Sequence, residues 1–311
     1  MQCCYNAIVL YPQTHRTRYF QPPRFSVTPP SPQLQEEPIS YDEKSKLITS
    51  ASNPFVKHCL KLRNNSSYRH SHGSVILVGA TPIREICRFQ ESAQDKNVNM
   101  DCLILPEKAE IPDGLDESTD SIVRVSSIVM RKISGLQSTD SIDAIGLMKI
   151  PASFLNLDDN KSHCQKWFPS AHRILVLDGI QDGVFLLPGC CDPFNEKALR
   201  ASRGASFQLP IVSGCWSHLE SLKEEFQMKL LAGHPEHDGL VNPVCSLSPS
   251  LCESISDTPM CLVLGSEGSG LSEKSMKSCE LVSIAMTGEY ESLNVSVAGG
   301  IFMYMLQSKN K

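Results

Sequence analysis

Two stretches near the C-terminus decide the reading: CLVLGSEGSGLS, Cys261 to Ser272, and LVSIAMTGEYESLNVSVAGGIFMYML, Leu281 to Leu306. In the first, Leu262, Val263 and Leu264 form the short apolar run of a buried strand, which empties directly into Gly265-Ser266-Glu267-Gly268-Ser269-Gly270. Glycines there supply positive φ and let backbone N–H and C=O groups come close to a ligand. A glycine turn leaving the C-terminal end of a strand lies on the ligand side of an open parallel sheet. From Gly265 to Ser272 the spacing matches a phosphate-binding loop except at Leu271, where that loop needs a lysine to balance the β- and γ-phosphate charge. The order G-x-G-x-x-G of a dinucleotide site is absent as well.

In the second stretch, Ser292-Leu293-Asn294 opens an apolar helix. Val295, Val297, Ala298, Ile301, Phe302, Met303, Met305 and Leu306 surround its axis, which predicts burial nearly all round. The helix is too short to span a bilayer. Gly299 and Gly300 each cost a helix interior about 1 kcal/mol relative to Ala, so a second backbone is expected close by. Capping by the Ser292 hydroxyl is the structural alternative to a role for that residue in chemistry. Asn294-Val295-Ser296 fits a glycosylation sequon by chance, because the mouth of a buried helix has no room for a glycan.

Together the two stretches resemble the cofactor pocket of the SpoU family of RNA ribose 2'-O-methyltransferases, within the knotted SPOUT superfamily. Arg173 to Asp182 resembles the first strand of the family's catalytic domain, and Asp192 to Val212 the segment after its second strand. Ile48 to Gly79 and Val125 to Met148 resemble the start and end of its small N-terminal substrate domain. The resemblance implies an α/β fold: a C-terminal trefoil-knotted methyltransferase domain over 171–311 and an α/β RNA-binding domain over 43–148, joined by a linker over 149–170. It further implies S-adenosylmethionine as cofactor, rRNA or tRNA as partner, and a homodimer packed through the last helix. Leu264, Gly265, Gly268, Gly270, Ile284, Met286 and Leu293 match cofactor-binding positions. Glu267, Ser292 and Asn294 match the polar positions of the second and third catalytic motifs. Ala285 replaces a usual proline, which relaxes φ and weakens preorganisation of the pocket.

One family block has no counterpart. Members continue the first strand with Asp-Pro-Gly-Asn and a helix carrying an arginine, whereas here Asp182 runs directly into Gly183-Val184-Phe185-Leu186-Leu187. Neighbouring parallel strands ordinarily need a crossover of about a dozen residues. The expectation is therefore a deletion product, or a first strand displaced from the sheet or turned into an antiparallel hairpin. Loss of the arginine, which in the family helps activate or hold the ribose hydroxyl, makes a catalytically silent RNA-binding or dimer-partner protein the alternative to an enzyme.

The net charge of −5 over 311 residues gives no global pull toward RNA. Lys44, Lys46, Lys57, Lys61, Arg63, Arg69, Arg84 and Arg88 accumulate early, however, with His58, His70 and His72 among them. Lys57, Lys61, Arg63 and Arg69 are the expected phosphate contacts, whose affinity would fall with salt. A solvated helix face is the plainer account of such a run. The thirteen cysteines are scattered, with no paired C-x-x-C, and the histidines lack ligand spacing, so neither a disulfide framework nor a metal is expected. Cys261 and Cys279 are expected to pack in the core. The first thirty-five residues carry Arg16, Arg18 and Arg24 and no acid until Glu36, as an organelle transit peptide does, so 1–42 reads as a chloroplast leader, with the mitochondrion as alternative. No membrane span is expected. His218 to Leu231 predicts an amphipathic helix with Leu219, Leu222, Phe226 and Leu230 on one side, and His234 to Pro259 reads as a loop.

Overall fold

The computed structural model describes residues 47–92, 100–116, 119, 121–138, 142–157, 164–168, 171–176, 183–235, 243–266, 269–286 and 292–307. Leader residues 1–42 lie outside these, as do Lys44 and Lys46.

The first part of the described chain folds as α1 (Pro54–Asn64), α2 (Ser66–His72), β1 (Ser74–Val78), α3 (Ala80–Ser92), β2 (Met100–Pro106), β3 (Ile122–Val125), α4 (Ser127–Ser134) and β4 (Ile145–Lys149). Asn53 starts α1 by accepting the Phe55 N–H at 2.9 Å, with Pro54 preset for the first turn. Asn65 does the same for α2 through Tyr68 N–H, and Gly73 ends α2 at φ +60. The strands form a sheet of order β1-β4-β2-β3, antiparallel except for the β2–β3 pair. One face carries Val75, Leu77 and Leu103 under α3; the other carries Ile76, Cys102 and Ile104 under α1 and α4. The alternation along each strand makes both faces apolar.

The remainder contributes β5 (Phe154–Asn156), β6 (Arg173–Val176), β7 (Gly183–Leu186), α5 (Glu196–Ala201), β8 (Ile211–Ser213), α6 (Trp216–Glu225), β9 (Lys229–Gly233), β10 (Val244–Ser246), α7 (Pro249–Ser254), β11 (Met260–Val263), α8 (Glu273–Ser278), β12 (Glu280–Ser283) and α9 (Val295–Met305). The strands make one sheet of order β10-β12-β9-β11-β6-β7-β8-β5, every described pair parallel. Because all run one way, the C-terminal ends of β11, β9 and β12 stand side by side at one edge.

Several expectations are corrected here. The first catalytic strand is neither displaced nor part of an antiparallel hairpin: β6 lies between β11 and β7, with Ile174 opposite Gly183, Leu175 opposite Val184 and Val176 opposite Phe185, in parallel. The return from Val176 to Gly183 is on the order of 8 Å, one strand spacing plus two residue rises. A connection of residues 177–182 reaches roughly 20 Å when extended. Burial of Ile174, Val176 and Phe185 rewards the parallel pairing. The segment expected as a linker supplies edge strand β5 and the buried rings Trp167 and Phe168. The helix expected from His218 to Leu231 stops at Glu225, after which Gln227 takes φ +51 and Leu230 sits in β9. Apolar period alone does not separate a helix end from the strand that follows it. The stretch from His234 to Pro259 contains β10 and α7 as well as loop.

Two polar hubs tie the architecture together. Phe194, Leu199 and Phe207, which follow β7, share a core with Val75 and Leu77 of β1 and Ile86 of α3. Beside them, Asp192 accepts from Ser66 Oγ at 2.7 Å and from Arg69 Nε at 3.0 Å and Nη2 at 2.5 Å, and faces His70 Nε2 at 3.2 Å. At the other end, buried Arg173 donates to the carbonyls of Leu306 at 3.0 Å, Thr258 at 2.6 Å and Ser256, anchoring the C-terminus of α9.

Candidate active site

The glycine turn sits where the sequence puts it. Buried Leu264 continues β11 and donates its N–H to Val176 O at 3.1 Å. Ser266 and Gly270 then close the turn with reciprocal backbone bonds of 3.1 and 2.9 Å, and Ser269 N–H donates to Ser266 Oγ at 3.1 Å. Gly270 takes φ +64, and a Cβ on Gly265 would run into the backbone of Gly270 and Leu271. Both positions thus need glycine for the reasons the pattern implies. Glu267 and Gly268 lie outside the described residues.

The second half of the site lies two strands away. Ile284, half-buried, and Met286, 36% exposed, leave the end of β12, while β9 ends between them and Leu264. Gly233, at the end of β9, is a position that the sequence reading missed. A Cβ there would meet the Phe302 ring at 2.9 Å and Leu264 Cδ2 at 3.1 Å, so its bareness lets α9 close against the strand ends. A glycine ending an apolar strand run, LLAG, is the signal that marks it.

Asn294, not Ser292, caps α9. Its Oδ1 accepts the N–H groups of Ser296 at 2.9 Å and Val297 at 3.4 Å, a bond set worth about 1 kcal/mol. Ser292 is exposed and Leu293 half-buried. Asn294 thereby positions the helix mouth against the strand ends. α9 itself departs from all-round burial: Gly299 and Phe302 are buried, but Val297 is 52% and Tyr304 72% exposed, and Gly300 faces open space. An all-apolar helix in one chain buries only the side its own sheet can reach.

Ser283, the last residue of β12, buries its hydroxyl with no hydrogen-bond partner among the described residues. Such a group costs about 1–3 kcal/mol unless something satisfies it. A bare glycine turn above an apolar floor of Leu264 and Phe302 fits a ligand with an apolar part, held chiefly by main chain; Ser283, by the alternation along β12, faces the other side of the sheet with Leu281. Burial pushes the Cys261 thiol far above its ordinary range and the Cys279 thiol to about 11, so neither is a nucleophile at neutral pH. No His, Cys, Asp or Glu group among the described residues has metal-ligand geometry.

Of the four expected phosphate contacts, only Lys57 and Lys61 are exposed. Arg63 is turned inward, donating to Lys132 O at 2.7 Å and Ile133 O at 3.0 Å and pairing with Glu196 at 3.5 Å. Arg69 is buried on Asp192 and on the carbonyls of Leu62 and Arg63. A guanidinium's five donors satisfy carbonyls at a domain junction as readily as they bind phosphate.

An all-parallel sheet with a glycine turn at the C-terminal ends of its strands, closed by a capped helix, is the arrangement of an α/β ligand-binding domain. Residues 170–304 match the SpoU rRNA Methylase family, and the chain carries a SpoU methylase domain over that range. An uncharacterized tRNA/rRNA methyltransferase of Synechocystis is 28% identical over 291 residues, spanning 86% of this chain and 94% of the relative. The 23S rRNA (guanosine-2'-O-)-methyltransferase of Yersinia pestis is 33% identical over 142 residues, spanning 42% of this chain and 57% of its own. In fold, the chain resembles the crystal structure of an RNA 2'-O ribose methyltransferase (TM-score 0.61, 21% identity, 84% of this chain and 98% of the other). It also resembles the AdoMet-bound rRNA methyltransferase of Sinorhizobium meliloti (TM-score 0.62, 17% identity, 84% and 97%).

Proposed function

We propose that this protein methylates a ribose 2'-hydroxyl of ribosomal or transfer RNA, with S-adenosylmethionine held at the ends of β11, β9 and β12. The observation that carries the reading is the Gly265–Gly270 turn, whose first glycine admits no side chain, at the edge of a SpoU methylase sheet. The bound cofactor supplies a methyl group on a positively charged sulfur. Leu264, Gly265, Ile284, Met286 and Leu293 hold it through main chain and apolar contact. Leu264 and Phe302 exclude water from the floor. Ser292 orients the ribose, and Asn294 fixes the helix mouth behind it. Orientation of this kind supplies much of the barrier reduction in a displacement reaction.

The absent family arginine lowers the rate without removing the cradle, since assistance to the proton's departure is worth about 10²- to 10⁴-fold. Incubation of the purified chain with labelled S-adenosylmethionine and ribosomal and transfer RNA, followed by ribose mapping, is expected to show slow methylation. Inserting the family block after Asp182 is expected to accelerate it. Donor uptake with no methyl transfer by either form would leave the chain an RNA binder and overturn the enzymatic reading.

The exposed side of α9, with Val297, Gly300 and Tyr304, supports a homodimer packed on that helix. Sedimentation is expected to give a dimer that Tyr304→Glu converts to monomer. A monomeric parent chain contradicts the assignment.

A further inference from the structure

The α1–α2 hairpin carries a group of rings that the methyl-transfer cradle does not use. Tyr68 and His72 stack with centroids 3.9 Å apart and planes 29° from parallel. His58 stands edge-on to Tyr68 at 5.7 Å and 5.5 Å from His72, with Nδ1 2.9 Å from the Tyr68 hydroxyl. The Lys61 ammonium lies 5.0 Å from the centre of the Tyr68 ring. His72, Lys61 and Lys57 are exposed, so this ordered stack stands at the surface rather than in a core.

Charge along the hairpin's own sequence is one-sided, and the carboxylates that reach it from elsewhere, Asp192 and Glu196, face Ser66, Arg69, His70 and Arg63. No Asp or Glu occurs between Glu43 and Glu85, although the chain as a whole carries −5. Arg63 and Arg69 are consumed by carbonyls and carboxylates inside the fold, which leaves Lys61 as the cation beside the Tyr68 ring, with exposed Lys57 one helical turn before it on α1. A flat ring face next to ammonium groups, with no carboxylate near in sequence, matches a polyanion that also has π faces. Unpaired RNA has both, whereas duplex RNA hides its base faces and an acidic protein surface lacks them.

We propose that His72 and Tyr68, with Lys61 and Lys57, form a docking platform for an unpaired nucleotide of the RNA substrate. The base stacks on the outer face of His72 and the flanking phosphates meet the two lysines. The platform rests on RNA being the substrate, and it adds single-strandedness at the point of contact.

The test uses the full chain and three short labelled probes: a mixed-sequence single-stranded RNA, its duplex, and a strand with abasic positions throughout. His72→Ala is expected to weaken the single strand about tenfold, within the range for one lost base stack, and to leave the duplex and abasic strand unchanged. His72→Phe restores the single-strand affinity. Lys61→Gln weakens all three probes and lowers the salt slope by about one. Single-strand binding untouched by His72→Ala, or an equal loss on the abasic strand, overturns the platform. Donor uptake, measured on the same variants, separates that failure from failure of the methyltransferase reading: an inert platform with intact uptake removes only the former. Failure of the parent chain to bind any probe removes RNA as substrate and the platform with it.

Discussion

Asp192→Ala is expected to destabilise the protein by about 3 kcal/mol, read as a fall in the denaturant midpoint at unchanged slope. The carboxylate, which follows β7 of the eight-stranded sheet, holds α2 beside the four-stranded one, and Arg69 next to it is only 3% exposed. Removing Asp192 leaves that guanidinium buried with its Nη1 still on Leu62 and Arg63 carbonyls and its Nε and Nη2 unanswered. An uncompensated buried charge costs more than the intact pair contributes. The same contact predicts acid sensitivity. Burial by itself would raise the Asp192 pKa, but hydrogen bonds from Ser66, Arg69 and Phe194 N–H, with the Arg69 charge, outweigh it and hold the carboxyl below 3.8. A depressed folded-state value means that the stabilisation is fully present above the unfolded-state pKa of about 3.9 and fades as pH falls through the folded value. The stability gap between the parent chain and Asp192→Ala should therefore be constant from neutral pH down to about pH 5 and shrink below about pH 4. A gap that persists unchanged below about pH 3 would show that the carboxylate's charge does not carry the stabilisation.

What the sequence displayed and what it hid divide along physical lines. The strand Leu262–Leu264 and its glycine turn were legible because a buried parallel strand is a continuous apolar run and because close backbone approach selects glycine. The parallel pairing of β6 with β7 was not legible. Register depends on what the two strands bury together, and the usual length of a crossover is a tendency rather than a steric limit. Arg69 looked like a phosphate contact because sequence shows charge and not direction; its partner lies 123 residues away. Asn294 and Ser292 are both good helix caps, and only the φ, ψ path into α9 chooses between them. The apolar circumference of α9 was read as burial, yet hydropathy does not say whether the covering surface belongs to the same chain.

Gly265→Val should abolish measurable uptake of S-adenosylmethionine while the chain stays folded. At Gly265 even one carbon would overlap the backbone of Gly270 and Leu271, and backbone does not rotate aside as a side chain does. The turn must open, breaking one or both of the Ser266–Gly270 bonds that shape it. Strain of about 3 kcal/mol there lowers affinity by roughly a hundredfold or more, because every ligand contact made by that main chain shifts with it. Global stability should suffer less, since the turn is exposed at Ser266, Ser269 and Gly270 and can relax into solvent once no ligand constrains it. Gly265→Ala is expected to fall between the two, as it brings the Cβ without the branch. Calorimetric titration with S-adenosylmethionine and with its demethylated product, alongside thermal melts, checks the set. If Gly265→Val takes up the donor as the parent chain does, the cradle does not hold the cofactor, whatever else the fold shares with its relatives. If uptake and melting temperature fall together, the turn is a structural corner of the sheet. Only loss of uptake with the melt nearly preserved gives the turn the role proposed for it.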